Sequence, residues 1–439
     1  MAADNIPHCI IIGSGFAGLE AAKAFKNKPV KVTLIDKNNH HLFQPLLYQI
    51  ATAGLSPADI AVPVRFILRK FKNISVLMDE VLDIDTSRKC IRLTDKDIEY
   101  DYLIVAAGST HNYYGNDDWA LLAPGLKTIA EATEIRRRIL TAFETAEKCL
   151  DEKKEENTPV FAVIGGGATG VELAGAISEL SKVSMRSDFR KINPLESRIL
   201  LIEAGPRLLP NMDKKLSEKT RALLAGMGVE IYLNSPVSEI TDNYVVAGDN
   251  KFLTKTVIWS AGIKASPLGE ALGIAVEKNG KVIVNRDLSI PGHPEVFAAG
   301  DLASVKDDSG RFVPALAPAA VQEGAHAAGN IMRLIMGQKT KGFKYNDKGC
   351  MATIGRSAAV AEIKNLKISG FPAWITWLFI HIFFLIGFRN RFIVLFQWMW
   401  AYFTYHSYSR LITYPWKPWK PGLPDRQRDL FSDYSGKKG

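Results

Sequence analysis

The stretch HCIIIGSGFAG, residues His8 to Gly18, decides the fold of this chain. Four apolar residues follow His8, which is typical of a strand that is buried on both faces of a parallel sheet. The next turn supplies Gly13, Gly15 and Gly18. Gly13 permits the tight turn, Gly15 lets the backbone approach a pyrophosphate, and Gly18 lets a helix pack against the strand.

A second strand completes this first unit. VTLID, Val32 to Asp36, places a carboxylate 23 residues after Gly13, where it can accept hydrogen bonds from ribose hydroxyls. Its neighbour Lys37 joins the candidate cofactor-binding residues. The spacing therefore predicts a β-α-β dinucleotide-binding unit over residues 8–36, with the pyrophosphate at the helix N-terminus.

The same pattern returns near the middle of the chain, at PVFAVIGGGATGVELAGAI (159–177) and RILLIE (198–203). Gly165, Gly167 and Gly170 repeat the spacing, and Glu203 stands where the first unit has an aspartate. The 38 residues from Gly165 to Glu203 exceed the usual ~20 because of the insert SKVSMRSDFRKINPLES, which we interpret as a lengthened helix and loop. Glu203 repels a 2′-phosphate and so favours NADH over NADPH, a preference that Arg207 can soften.

Three further strands end in small residues, at YDYLIVAAGS (100–109), TVIWSAG (256–262) and EVFAAGD (295–301). Gly108, Gly262 and Gly300 close these runs. A glycine there lets the backbone pass close to a ligand or a helix, where a Cβ would intrude. The fold class is therefore α/β, with two Rossmann-like dinucleotide-binding domains.

The composition fits a globular protein whose positive charge is concentrated at one end. The 439 residues suggest about two to three domains, and the formal net charge is +9. Residues 371–439 contain nine Lys or Arg and three Asp, a net of +6. This excess lies beside the most aromatic stretch, which favours an anionic membrane surface over nucleic acid as the partner. A solvated basic tail without a partner is the alternative.

The aromatic stretch begins with FPAWITWLFIHIFFLIGF (371–388), which carries no formal charge. The residues Arg389-Asn390-Arg391 interrupt it, and FIVLFQWMWAYFTY (392–405) resumes. Eighteen apolar residues approach the ~20 that span a bilayer, and Trp and Tyr gather at headgroup depth. We interpret the stretch as a helical hairpin that lies in one leaflet and anchors the chain; a spanning hairpin and a soluble dimer interface are the alternatives.

The cysteines do not form a redox pair. Cys9, Cys90, Cys149 and Cys350 are far apart, without a C-x-x-C motif, which indicates structural thiols in a reducing compartment. The N-terminus MAADNIPHC has no targeting pattern, so we expect the protein on the cytoplasmic side of its membrane. The eight histidines are scattered, and we expect no metal site.

The order of the two glycine-rich units and EVFAAGD resembles the pyridine-nucleotide flavin oxidoreductases with two dinucleotide-binding domains. The resemblance implies FAD in the first unit and NADH in the second, with Gly300 and Asp301 against the FAD ribityl and phosphate groups. It further implies an FAD domain over 1–125 and 286–370, an NADH domain over 126–285, and membrane-anchoring helices with a basic tail over 371–439.

Further motifs narrow this resemblance: FQPLLYQIATAG (43–54), GGGATGVELAGAI (165–177) and MATIGRSAAVAEI (351–363). Together with the aromatic C-terminus they resemble the type II NADH dehydrogenases, the single-subunit NADH:quinone oxidoreductases. That family implies that Gln44, Pro45 and Leu46 line the flavin. It also implies that Glu172 lies near the flavin and nicotinamide as a proton carrier. A first-turn helix acid favoured by the dipole is the alternative for Glu172.

The quinone contact is the point at which the chain departs from this family. The family often has two glutamines four residues apart after the Gly-Asp segment, whereas here Pro318 precedes Gln322. Proline cannot donate a hydrogen bond to a quinone carbonyl. Gln322 is therefore the candidate that lines the quinone site, with an ordinary helix-surface glutamine as the alternative.

The expected activity is a ping-pong hydride transfer from NADH to the flavin, followed by two-electron reduction of a membrane quinone without proton pumping. We expect the protein at the cytoplasmic face of the cell inner membrane. A homodimer is one possible assembly, and nucleic acid is not an expected partner. A ferredoxin or rubredoxin reductase and an oxygen-reducing NADH oxidase are rival interpretations. A redox interaction protein similar to apoptosis-inducing factor is a third.

Overall fold

The computed structural model of the chain describes residues 6–148, 158–307, 309–364, 366–404 and 409–413. Its α-helices in these ranges are α1 Phe16–Ala24, α2 Leu47–Ala51, α3 Pro57–Ile60, α4 Val64–Leu68, α5 Trp119–Leu122, α6 Ile129–Lys148, α7 Ala168–Glu179, α8 Lys214–Gly226, α9 Ala317–Ile335, α10 Phe371–Phe384 and α11 Phe388–Thr404. The strands in the first half of the chain are β1 His8–Ile12, β2 Lys31–Asp36, β3 His40–Leu42, β4 Ala61–Pro63, β5 Ile74–Met78, β6 Asp83–Asp85, β7 Cys90–Arg92, β8 Asp97–Glu99, β9 Tyr102–Val105, β10 Ser109–His111, β11 Val160–Ile164 and β12 Arg198–Ile202. The later strands are β13 Val229–Tyr232, β14 Val237–Ile240, β15 Tyr244–Ala247, β16 Asn250–Leu253, β17 Thr256–Trp259, β18 Ile263–Ala265, β19 Val282–Ile283, β20 Ser289–Ile290, β21 His293–Ala298, β22 Ala303–Ser304, β23 Cys350–Gly355, β24 Ala358–Ile363 and β25 Leu366–Gly370.

The chain forms two compact units, each assembled from three separate pieces. The first unit contains residues 1–42, 61–111 and 263–348, and the second contains 43–60, 112–262 and 349–439. These bounds differ from those of the predicted domains: 43–60 and 349–370 cluster with the second unit, and the central piece of that unit is 112–262 rather than 126–285. The reason is packing: α2 lies on α6 and α7, and β23 lies on α7.

The first unit is built on a six-stranded sheet in the order β20-β21-β9-β1-β2-β5. The prediction of a buried strand over His8–Ile12 is confirmed: β1 has those bounds and pairs in parallel with β2 and β9. β21 pairs in parallel with the other side of β9. The carboxyl ends of parallel strands share one edge, so Gly13, Asp36 and Gly300 come to the same edge of this sheet.

Helices α1 and α9 of the first unit touch backbone to backbone. A Cβ added to Gly324 of α9 would lie 2.0 Å from the carbonyl oxygen of Ala17 in α1. Even an alanine would therefore force the two helices apart. This contact fixes α1, which begins after the glycine-rich turn, against α9 of the same unit.

The second unit repeats the arrangement with a four-stranded parallel sheet in the order β13-β12-β11-β17. The predicted lengthening of its first helix is confirmed, because α7 continues into a π-helical turn over Leu180–Ser184. A short 3-10 helix, Pro194–Glu196, leads on to β12. The insert thus lies between the helix and the strand that carries Glu203.

An antiparallel sheet of β23, β24 and β25 packs beside α7 in this unit. The approach is close, since a Cβ on Gly175 would lie 1.9 Å from the carbonyl oxygen of Ile354. Helix α10 also packs against this sheet, and its Ala373 and Trp377 are 0% and 3% exposed. The C-terminal helices are therefore partly core and not only a surface appendage.

Helices α10 and α11 form the C-terminal hairpin. The residues Arg389-Asn390-Arg391, which interrupt the apolar stretch of the sequence, do not separate the helices but lie in the first turn of α11. The break falls at 385–387, where Gly387 has a φ of +91°, a conformation that glycine adopts without strain. No helix in the described ranges is both long and apolar enough to cross a membrane. Tyr405 and the basic tail from residue 414 lie outside the described residues.

Candidate functional site

The glycine-rich turn of the first unit has three distinct local geometries. Gly13 has a φ of +95°, and a Cβ there would lie 2.3 Å from the carbonyl oxygen of Ala106. A Cβ on Gly18 would lie 1.8 Å from the carbonyl oxygen of Gly13. A Cβ on Gly15 would meet nothing within 4 Å. The space beside Gly15, at the start of α1, is therefore open to a ligand.

Asp36 holds this turn in place. Its Oδ2 accepts hydrogen bonds from the Ser14 N–H and hydroxyl at 2.6 and 2.8 Å, and its Oδ1 accepts from the Asn38 N–H at 2.7 Å. A carboxylate has about four acceptor positions, so capacity remains for a ribose hydroxyl. Lys37 lies exposed beside it.

His41 lies beneath the turn and was not singled out as a site residue from the sequence. Its Nδ1 is 2.8 Å from the carbonyl oxygen of Ser14, and its ring packs edge-on against Phe16. Burial lowers the pKa of His41 to about 4, so the ring is neutral near pH 7. The side chain is 3% exposed, and its Nε2 has no hydrogen-bond partner among the residues that the structure describes.

The Gly-Asp segment at the end of β21 is tied to two residues that sequence reasoning missed. The Gly300 N–H donates to Glu323 at 2.6 Å, and the Ser109 hydroxyl donates to Asp301 at 2.5 Å. Glu323 is 4% exposed, and burial raises its pKa to about 7. The adjacency of Glu323 to Gln322 was the only sequence signal that could have drawn attention to it.

These features fit a bound dinucleotide. The N-terminus of α1 offers backbone N–H groups beside the open space at Gly15, and Gly108 has similarly open surroundings at a φ of +70°. The unpartnered Nε2 of His41 adds a buried polar atom that a polar ligand group could satisfy. Helix N-termini with these properties bind phosphate groups.

The glycine-rich turn of the second unit has the same local geometries. Gly165 has a φ of +107°, and a Cβ there would lie 2.7 Å from the carbonyl carbon of Ser260. A Cβ on Gly170 would lie 1.8 Å from the carbonyl oxygen of Gly165, whereas one on Gly167 would meet nothing within 4 Å. Gly262, at a φ of +89°, lies against the Tyr114 hydroxyl.

Glu203 is fixed at the end of β12 by two backbone donors. Its Oε2 accepts from the Gly166 N–H and its Oε1 from the Gly205 N–H at 2.6 Å. The Arg207 guanidinium donates to the carbonyl oxygens of Met212 and Pro210, within its own loop. The Glu203 carboxylate is therefore held in place at this strand end. Arg207 is less able to weaken the preference for NADH, because two N–H donors of its guanidinium are already engaged.

Glu172 is the fifth residue of α7, and this helix has no acidic residue in its first turn. The alternative of a first-turn acid is therefore wrong. Burial raises the pKa of Glu172 to about 8, while the Thr353 N–H, which donates to its Oε1 at 3.4 Å, acts in the opposite direction. The side chain is half-buried. Near pH 7 it holds a proton that it can donate.

The segment 43–60 reaches from a 3-10 turn at Gln44–Leu46 to the neighbourhood of Glu172. The exposed Gln44 amide donates to the Lys127 carbonyl oxygen at 3.2 Å, Pro45 is half-buried, and Leu46 is buried. Tyr48, 5% exposed, is close enough to Glu172 for that carboxylate to contribute to the raised pKa of the phenol, of which burial is the larger cause.

Gln322 has both ends of its amide engaged by backbone. Its Nε2 donates to the carbonyl oxygens of Pro318 and Asn346, both at 3.0 Å, and its Oε1 accepts from the Asn346 N–H at 2.9 Å. The side chain thus ties α9 to the segment after it. Pro318 lies in the first turn of α9, where a helix tolerates proline.

The chain resembles known proteins over nearly its whole length. Residues 7–324 match the family model described as pyridine nucleotide-disulphide oxidoreductase, and residues 348–405 match the NDH2 C-terminal domain. A relative from Mycobacterium tuberculosis, a type II NADH:quinone oxidoreductase, is 43% identical over 89% of this chain and 86% of its own length. A protein of the same name from Haemophilus influenzae is 29% identical over 81% of this chain and 87% of its own length.

Solved structures share the fold at low identity. NDH2 from Plasmodium falciparum in complex with NADH superposes with a TM-score of 0.86 at 20% identity, over 93% of this chain and all of that one. A sulfide:quinone oxidoreductase from Aquifex aeolicus superposes at 0.72 with 21% identity, over 88% of this chain and 92% of that one. The fold alone therefore leaves the electron acceptor open, since a fold hosts several chemistries.

Proposed function

The chain belongs to the type II NADH:quinone oxidoreductases, and from that premise we propose that it oxidises NADH and reduces a membrane quinone with FAD as its resident cofactor. The observation that carries the proposal is the near full-length match to the mycobacterial relative. The overall reaction converts NADH, one proton and quinone into NAD⁺ and quinol. One proton per turnover must therefore come from solution.

Bound FAD would accept a hydride and pass on two electrons, which no side chain can do. In the first unit, the N–H groups beside Gly15 would bind the pyrophosphate, with Gly13 and Gly18 shaping the turn. Asp36 would accept from ribose hydroxyls. The remaining residues that we assign to FAD are Lys37, Gln44, Pro45, Leu46, Gly108, Gly300 and Asp301.

NADH would bind at the second glycine-rich turn. Gly165, Gly167 and Gly170 leave room for its pyrophosphate at the start of α7. Glu203 would accept from the ribose hydroxyls and repel a 2′-phosphate, since its charge is fixed by two N–H donors. Gly262 would keep the neighbouring strand end open.

Glu172 is the acid that we assign to quinone reduction. A carboxyl group with a pKa of about 8 is protonated near neutral pH and still gives up its proton readily. Gln322 would act at the quinone site by holding the chain around Asn346, because its amide is engaged by backbone. The Pro318 carbonyl oxygen accepts a further hydrogen bond from the Gln322 Nε2, and Pro318 has no N–H to donate to the quinone.

The C-terminal hairpin would attach the chain to an anionic membrane surface, in one leaflet at the cytoplasmic face. The exposed aromatic side chains of α10 and α11 support this: Phe379, Phe383, Phe392 and Phe403 are 65%, 67%, 64% and 74% exposed. Each would contribute about 2 kcal/mol on insertion. A homodimer remains a prediction.

Membrane attachment is tested with surface substitutions, because deleting 371–439 would also remove the buried Trp377. Changing Phe379, Phe383 and Phe392 together to Ser should weaken sedimentation with anionic vesicles more than a hundredfold while flavin stays bound. Unchanged sedimentation would contradict the assignment. The unsubstituted chain on neutral vesicles measures the electrostatic share.

The activity itself is tested by stopped-flow absorbance of the flavin. NADH should bleach the flavin of the purified chain, and a short-chain quinone should restore its colour within the turnover time. The flavin of a ferredoxin reductase would instead be reoxidised by ferredoxin, and the flavin of an oxidase by oxygen. Quinone would reoxidise neither. Absence of quinone-dependent reoxidation would sink the proposal.

A further inference from the structure

The order of the strands in the second sheet determines the path of a bound NADH. Strand β11, which leads into the glycine-rich turn, lies between β12 and β17 and runs parallel to both. In the proposed function the pyrophosphate binds at that turn, and Glu203 after β12 binds the ribose of the adenosine half, which carries the 2′-phosphate in NADPH. The nicotinamide half must therefore extend to the other side, over the end of β17.

The residues after β17 lie directly against the glycine-rich turn. A Cβ on Gly165 would lie 2.7 Å from the carbonyl carbon of Ser260 and 2.8 Å from the nitrogen of Ala261. Gly262 is the next residue along the chain, at a φ of +89°, and a Cβ there would overlap the Tyr114 hydroxyl. The tip of the Tyr114 side chain therefore lies at the strand end over which the nicotinamide half extends.

The backbone of Tyr114 has an unfavourable conformation. Its φ is +53°, in the left-handed region that bulky residues rarely adopt. The Asn112 Oδ1 accepts a hydrogen bond from the Tyr114 N–H at 2.9 Å and so supports this conformation, and Gly115 follows with a φ of +92°. In the described part of the chain, Tyr114 is the one aromatic residue with a positive φ. Strained residues of this kind are concentrated at ligand sites.

The loop around Tyr114 is firmly anchored, whereas the Tyr114 side chain is not. Tyr113 is 5% exposed, its hydroxyl donates to the Ala123 carbonyl oxygen at 2.8 Å, and its ring lies 5.1 Å from the ring of Trp259. The Trp259 Nε1 donates to the Asn112 carbonyl oxygen at 3.0 Å. Tyr114 itself is 66% exposed, and its hydroxyl has no hydrogen-bond partner within the described ranges. A rigid loop thus presents an aromatic ring and an available hydroxyl at the end of β17.

We propose that Tyr114 binds the nicotinamide half of NADH. Its hydroxyl donates to a ribose or phosphate oxygen of that half, and its ring covers the half from the side of Gly262. The inference rests on the proposed function, in which NADH binds at the second glycine-rich turn. The anchored loop holds the side chain in place before the ligand arrives, so binding does not have to order it. Tyr114 is a positioning residue, because it exchanges neither hydride nor proton with the substrate.

A purely structural role for Tyr114, as a brace against Gly262, is the competing explanation. Tyr114→Gly distinguishes the two roles, because glycine adopts a positive φ without strain. If the side chain serves the ligand, this variant should keep or raise the Tm of the flavin-loaded chain, whereas loss of a brace would lower it. Tyr114→Phe keeps the ring and removes only the hydroxyl. Leu121→Ala, at a 79% exposed side chain of α5, and Glu144→Gln, at an exposed glutamate on α6, are the controls.

The assay is calorimetric titration of the flavin-loaded full chain with NAD⁺, which leaves the flavin oxidised. Tyr114→Gly should weaken NAD⁺ binding roughly tenfold or more, and Tyr114→Phe about fivefold, the effect of one hydrogen bond. Both variants should bind AMP, which carries only the adenosine half, within about twofold of the unsubstituted chain. Glu203→Ala should weaken the binding of both nucleotides. In stopped flow, the NADH concentration that half-saturates flavin reduction should rise with the NAD⁺ dissociation constant, while reoxidation by a short-chain quinone should stay unchanged.

The other outcomes contradict separate steps of the inference. NAD⁺ affinity that stays the same in Tyr114→Gly would overturn the proposal, and tighter binding would make the side chain an obstruction instead of a contact. An equal loss of NAD⁺ and AMP affinity, or a Tm well below that of the two controls, would overturn it in favour of the structural role. If the unsubstituted chain neither binds NAD⁺ nor shows quinone-dependent reoxidation, the proposed function fails, and the role of Tyr114 fails with it.

Discussion

Replacing Glu323 by Gln should change how the stability of the protein depends on pH. Glu323 is 4% exposed, and burial raises its pKa from 4.5 to about 7. Because the pKa of the folded state is the higher one, its contribution to stability is fully present below pH 4.5 and is lost as the pH rises through 7. The glutamine cannot ionise, so the variant escapes this loss.

The size of the effect follows from the shift. A shift of about 2.5 pKa units at 1.36 kcal/mol each corresponds to about 3 kcal/mol. An unfolding entropy of about 2.1 cal/mol/K per residue over 439 residues converts this into about 3–4 °C. About a quarter of the loss has already occurred at pH 5, so the difference in Tm between Glu323→Gln and the unsubstituted chain should increase by about 3 °C between pH 5 and pH 8. The increase would be larger if the first unit unfolded alone.

The assay is scanning fluorimetry of the flavin-loaded protein in a series of buffers at constant ionic strength. The Gly300 N–H can still donate to the glutamine oxygen, so a constant offset in Tm is expected in addition to the slope. Glu144→Gln should give a flat difference across the same range. A difference for Glu323→Gln that stays constant within 1 °C, or that falls with rising pH, would refute the assignment of a raised pKa.

Three further predictions test other parts of the molecule. Glu203→Ala should raise the ratio of kcat/KM for NADPH to that for NADH at least tenfold, because a charged hydrogen-bond acceptor is lost; an unchanged ratio would show that the strand end does not read the ribose. Gly175→Ala should lower Tm sharply, because its Cβ would lie 1.9 Å from the Ile354 carbonyl oxygen, whereas Gly226→Ala, whose Cβ meets nothing within 4 Å, should leave it unchanged or slightly raised. Trp398→Phe removes one hydrogen bond to Gln49, worth about 1 kcal/mol, and should lower Tm by about 1 °C; an unchanged Tm would show that this bond adds no net stability.

The local parts of the fold were predictable from the sequence. The strand His8–Ile12 and the glycine spacing of both turns depend on neighbours within a few residues, and the structure has β1 with those bounds. The lengthened helix in the second unit was also predictable, because a count of residues between Gly165 and Glu203 reveals it.

The remote parts were not predictable. Glu323 forms its hydrogen bond with Gly300, 23 residues away, and His41 forms its hydrogen bond with Ser14, 27 residues away. Neither pairing leaves a periodic signal in the sequence, because a buried hydrogen bond depends on tertiary packing. The bounds of the C-terminal helices were not predictable either: the charges at 389–391 mark the break in the apolar sequence, whereas the connection between the helices contains Gly387, whose φ is +91°.

The interleaving of the two units bears on how the protein is made. Strand β21, which Gly300 follows, pairs with β9, although it is synthesised about 190 residues later. Helix α1 is likewise covered only once α9, with Gly324, has been synthesised. At about 5–20 residues per second, the ribosome needs roughly 15–60 seconds to travel from Gly13 to Asp301. During that time the nascent chain carries an unpaired strand edge and an uncovered apolar helix, which are liable to aggregate. Nascent chains should therefore load flavin only after synthesis passes α9, and they should depend on chaperones until then.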